Sequence, residues 1–196
     1  MILNILEKNF LYNNNQTEIE DIIEKINSEL SSQNLYFSHL VVDGEEIHID
    51  HENYLFDHIK EINNIEVMVK TIEEFTGSLL VSLNTYTHRA IPSIEQLVKN
   101  FYQAETDENW LMLNQLLEGI DWIYQTIKAI DQTLYKIASW DEFIKGNATF
   151  EVELPNLLEA IENKDIILIA DIIQYEILPL FKVIYNETEK IFNEQK

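Results

Sequence analysis

The sequence predicts an α+β protein, mostly α overall: a small α-β-β-α-β unit over residues 1–70, then an elongated antiparallel helical bundle over residues 71–196. Three observations predict it. Turn-formers are scarce, with 4 Gly and 3 Pro, which favours long helices over a fold of many tight turns. A lone Asp43-Gly44 pair separates two short alternating apolar runs. From Thr71 onward the apolar residues recur every three or four positions and keep that period.

The elements follow in order. Over residues 17–33, Ile19, Ile22, Ile23, Ile26 and Leu30 share one helical stripe, and Thr17 with Glu20 has the spacing of a capping box. "LYFSHLVVDGEEIHID" then reads as a hairpin, because Asp-Gly suits a two-residue turn with both positions at positive φ. That turn sets the register: Val42 opposite Glu45, Val41 opposite Glu46, Leu40 opposite Ile47, and His39 opposite His48. Alternation assigns Tyr36, Leu40, Val42, Ile47 and Ile49 to the core face. It assigns Phe37, His39, Val41, Glu46, His48 and Asp50 to the wet one. Residues 53–62 read as a short helix with Leu55, Ile59 and Ile62 inward, and 65–69 as a strand. The opening "ILNIL" fits either a strand or a helical turn. A strand there makes the order β-α-β-β-α-β, which resembles a ferredoxin-like split.

In the second part, Ile72, Phe75, Leu79, Leu83, Tyr86, Ala90, Ile94, Leu97 and Phe101 keep one phase through Pro92. They predict a single long helix kinked at the proline. A second helix opens near Thr106 or Asp107 and carries Trp110, Leu113, Leu117, Ile120, Ile123, Ile127, Ile130, Leu134 and Ile137. "SWDEFIKG" offers Ser139 with Glu142 as a capping box and Gly146 as a stop. Residues 147–153 then read as a loop, and Pro155 as the first residue of another short helix. Asp165 opens a last helix to about 193, with Ile166, Ile169, Ile173, Ile177, Leu180 and Ile184 inward and Pro179 inside it. The total is three long helices and one or two short ones.

Composition excludes several function classes. The net charge is −22, shared equally by residues 1–69 and 70–196, and Arg89 is the one arginine. Binding nucleic-acid phosphates or an anionic membrane surface needs Lys/Arg clusters, and the sequence has none. A negative surface instead suits a basic protein partner. The absence of cysteine removes disulfides, thiolate nucleophiles and Cys-based metal sites. The N-terminal apolar run is too short for a signal peptide, and no stretch reaches a membrane span, so the expected location is the cytoplasm. No phosphate-cradling glycine motif and no nucleophile elbow occurs. No cofactor is expected.

"HIDHENYLFDH" (48–58) holds three of the five histidines among acidic residues. The candidate metal ligands are His39, His48, Glu46 and Asp50. They cluster on one hairpin edge instead of coming from several fixed elements, so the sequence weighs against a metal site. The candidate partner-binding residues are Pro92 and Pro179, where kinks would open a groove, and Trp110, Trp122 and Trp140 on or beside the core stripe.

"LLEGIDWIYQTIKAID" (116–131), "LPNLLEAIENKDIILIADIIQYEILPLF" (154–181) and "SHLVVDGEEI" (38–47) resemble uncharacterised proteins of low-GC Gram-positive bacteria. Those have a small N-terminal part and a helical C-terminal part. The resemblance covers most of the chain and transfers no functional residue. "LLEAIENKDIILIADII" is also similar to the generic helical style of flagellin-export chaperones. The function expected is a non-enzymatic interaction module — adaptor, chaperone-like or regulatory — that can self-associate. The alternatives are a metal-binding enzyme or sensor using the hairpin histidines, and an acidic decoy of a nucleic-acid-binding partner.

Overall fold

The computed structural model describes residues 1–194 except 134, 136 and 138. It is α+β and mostly helical, and its contacts divide it into two compact units, Met1–Phe75 and Thr76–Lys196.

The first unit is a five-stranded sheet with two helices. Its strands are β1 (Ile2–Ile5), β2 (Lys8–Leu11), β3 (Tyr36–Val42), β4 (Glu45–Ile47) and β5 (Asn64–Lys70). Its helices are α1 (Ile19–Ser32) and α2 (His51–His58). The opening residues are therefore a strand, and a second strand, β2, follows that the sequence did not announce. Its turn is Leu6-Glu7, with Leu6 at φ 55°, a conformation that Gly, Asn or Asp would have signalled. The sheet order is β2-β1-β5-β3-β4. β1 and β5 pair in parallel, so the sheet is not a ferredoxin-like split, which is antiparallel throughout.

The core of this unit sets one sheet face against Ile19, Ile22, Ile26 and Leu30 of α1 and Leu55 of α2. Helix α1 is not capped by Thr17. Asn15 accepts from the Thr17 amide and opens a short 3₁₀ turn at Gln16–Glu18 that leads into α1. The β3–β4 register is the one the Asp-Gly turn dictates, with Asp43 at φ 49° and Gly44 at φ 93°. Two facing assignments change. A bulge between Phe37 and His39 inserts a residue opposite β5, so Phe37 turns into the core and Tyr36 out of it. Tyr36 stacks on Phe75 with centroids 4.2 Å apart. Ile49 lies past the end of β4 and is 81% exposed, because pairing stops at Ile47. Helix α2 starts two residues before the expected 53 and ends at His58, while Ile59 and Ile62 are still buried.

Among its described residues the second unit holds four helical segments around one core. Helix α3 (Ile72–Gln103) passes through Pro92 as the unbroken phase predicts. Thr71 and Glu74 close a complete capping box at its start: Thr71 N donates to the Glu74 carboxylate at 2.8 Å, and Glu74 N donates to Thr71 Oγ1 at 3.2 Å. Helix α4 (Asp107–Asp131) is capped by Thr106 and stops before Ile137, which still packs on the core. Leu134 lies outside the described residues.

The largest departure is helix α5, Trp140–Glu162. It runs through Gly146, through the expected loop at 147–153, and through Pro155. Ser139 sits at φ 61° and offers no side-chain cap. Phe143, Phe150 and Leu157 recur at sevenfold spacing, all fully buried, and their burial outweighs the weak helix formers between them. The last segment is α6 (Ile166–Ile172), a π-helical turn (Ile173–Ile177) and α7 (Leu178–Glu194). Asp165 caps α6 by accepting from Leu168 N. The proline ring at 179 would press on the Tyr175 carbonyl of a regular α-helix, and the wider π turn lies at that point. Among the described residues no helix is long and apolar enough to cross a membrane.

Candidate functional site

Among the described residues, two places concentrate candidate functional side chains, one in each unit. The first is the β3–β4 hairpin. The turn at Asp43-Gly44 and the Leu40–Ile47 pair set His39 and His48 side by side, with ring centroids 4.5 Å apart. His48 Nε2 lies 3.0 Å from the Glu46 carboxylate, and Ser38 Oγ lies 3.0 Å from His39 Nδ1. One ligand atom from each of His39, Glu46 and His48 falls within 4.8 Å of the others. Asp50, the fourth candidate, is not among them: it adopts a left-handed conformation ahead of α2 and accepts from Asn53 at 2.7 Å. His58 packs on Tyr54. His51 packs edge-on to Phe37, and its Nε2 is buried without a hydrogen-bond partner at the edge of a cavity of about 500 Å³.

The second place is a cleft of about 740 Å³ between α3 and α4. Tyr86, Ala90, Ile94, Leu97, Met112, Leu116 and Trp122 supply apolar surface, and Ser82, Thr85, Ser93 and Gln115 supply neutral polar groups. Arg89 is the one charged residue in the lining. The lining of this cleft contains no carboxylate, although the chain has 35 acidic residues. The Arg89 side chain is exposed and makes no ion pair or hydrogen bond with any described residue. Gly119 shapes the wall: a Cβ there would lie 1.6 Å from the Tyr86 hydroxyl, so only glycine lets Tyr86 lie against α4. Tyr86 packs edge-on to Trp122 at 5.2 Å, and burial, followed by the nearby Glu118 charge, raises its phenol pKa.

Of the residues read as partner-binding candidates, Trp122 lines this cleft and the others lie elsewhere. Trp110 packs on Phe101 and donates to Glu105. Trp140 stacks on Phe143 and donates to Asp131. Pro92 lies between the cleft residues Ala90 and Ser93 without lining the cleft itself, and Pro179 follows the π turn. Arg89, Tyr86 and Met112 were missed as a group. A lone arginine in so acidic a chain was the one available signal. Elsewhere on α3, Tyr102 donates to Asp171 of α6, which pushes its phenol up to about 12; this bond ties two helices together.

A family model described as a domain of unknown function, DUF8042, matches residues 78–187, more than half of the chain. The chain belongs to the DUF8042 family. Within the DUF8042 match lie the α3–α4 cleft, the π turn and most of the helical core. A second model, described as the TP0873 N-terminal domain, matches residues 1–71, which contain the whole sheet and the histidine hairpin. No curated protein and no solved structure matches the chain.

Proposed function

We propose that this DUF8042 chain is a non-enzymatic protein-interaction module that receives a partner in the α3–α4 cleft. The occupant is an apolar segment bearing one carboxylate, such as an amphipathic helix. One observation carries the reading: the only arginine of a −22 chain stands without a partner among the described residues, in a cleft with no acidic lining residue. A guanidinium fork holds a carboxylate by two charge-assisted bonds, and here no described residue pairs with it. Tyr86, Trp122 and Met112 supply rigid and adaptable apolar contact around that anchor. The acidic remainder of the surface favours a partner whose own net charge is neutral or basic.

The test is affinity capture from lysate at low and high salt with wild type, Arg89→Glu, Gly119→Ala and Trp140→Ala. A partner held in the cleft stays bound at high salt and is lost with Arg89→Glu. It is weakened with Gly119→Ala, which displaces Tyr86, and is kept with Trp140→Ala. An arginine anchor is expected to account for about 2 kcal/mol or more of binding. A partner that leaves at high salt and ignores Arg89→Glu would instead mark an acidic decoy acting through its whole surface.

A further inference from the structure

We propose that His39, His48 and Glu46 form a binding site for a single divalent transition-metal ion of the zinc type, with the remaining coordination position open to water. Two imidazoles and a carboxylate are the donor set such an ion takes, and three protein ligands with one open position is the arrangement of exchangeable sites. Zinc bonds of about 2.0–2.1 Å place tetrahedral donors about 3.3 Å apart. His48 Nε2 and the Glu46 carboxylate are already 3.0 Å apart, and the whole set lies within 4.8 Å. The His48 and Glu46 side chains are 60% and 64% exposed, so little packing opposes their turning toward His39.

Three features of the backbone prepare the site. The Asp43-Gly44 turn locks the register that brings residue 39 against residue 48. The bulge before His39 packs a half-buried Phe37 against the core while leaving His39 on the open face, and bulges commonly re-aim a side chain in this way. Ser38 Oγ lies 3.0 Å from His39 Nδ1; in the tautomer that donates from Nδ1 to this hydroxyl, Nε2 is open to an ion. This site is independent of the cleft reading: it lies in the other unit and shares no residue with it.

The experiment is calorimetric titration of metal-stripped full-length protein with Zn²⁺, repeated with Co²⁺ for its visible absorption. The variants are His39→Ala, His48→Ala, Glu46→Gln, Ser38→Ala, and His58→Ala with His88→Ala as controls. Wild type and both controls are expected to bind one ion per chain, with tetrahedral Co²⁺ bands. Each ligand variant should lose that binding, and Ser38→Ala should weaken it by about tenfold or more. His48 and Glu46 are exposed, so their variants fold, and circular dichroism checks this. The idea is sunk if wild type takes up no ion, or if uptake persists in the His39→Ala/His48→Ala double variant, which would place the ion on the general acidic surface.

Discussion

Glu29 shows how much a single side chain can depend on pH here. It sits at 9% exposure on α1 and is met by Lys25 at 2.8 Å from the preceding turn and Lys8 at 2.7 Å from β2. Hydrogen bonds from Lys25, then from Lys8, hold its carboxyl below the ordinary carboxylate range. A depressed carboxyl contributes stability above its unfolded pKa of about 4.3 and loses it as pH falls through the folded value. Glu29→Gln is therefore expected to lower the melting temperature at pH 7. The gap from wild type should close as the pH drops below about 4. Thermal unfolding across pH 3–7 checks this, and a gap that stays constant would refute it. The same scale explains the hairpin. His39 and His48 could be placed from the sequence because Asp43-Gly44 admits one register. Phe37 was misplaced because no residue in "LYFSHL" announces a bulge, which arises only when β3 pairs with β5.

Among elements, α5 is the instructive case. Gly146 reads as a local stop, 147–153 as a loop and Pro155 as a new start, yet one helix passes through all of them. Phe143, Phe150 and Leu157 are fully buried, and the energy of that stripe exceeds the cost of a weak interior, about 1 kcal/mol for a glycine and about 3 for a proline. Phe150→Ala is expected to destabilise the protein by about 3–5 kcal/mol, and α5 is the helix to fray first around residues 147–155. Denaturant titration with hydrogen exchange measures both. A loss below about 1 kcal/mol would mean that α5 is held by propensity instead of burial. At Pro179 the outcome is different. The helix continues by widening to a π turn, which leaves room for the ring without ending the segment.

For the whole molecule, charge decides what composition can. A chain with 35 acids and 13 Lys/Arg repels itself when folded more than when expanded. Raising salt from about 0.01 M to about 0.1 M shortens the Debye length from about 30 Å to about 10 Å. The melting temperature is expected to rise over that range, and a fall would show that ion pairs outweigh the repulsion. The two units, the two family matches and the change of apolar period all meet within residues 71–78, where the β5 strand gives way to the Thr71–Glu74 cap.

The sequence by itself determined the class of the fold, the hairpin register, the helical stripes and the acidic field. Each of these depends on residues close in the chain or on composition alone. Only the tertiary structure decided that β1 pairs in parallel with β5, that Phe37 faces inward, and that α5 is one helix. It alone also set Arg89, Tyr86 and Trp122 around one cleft. These outcomes come from burial between segments far apart in the chain, and that energy exceeds the local preferences a sequence displays.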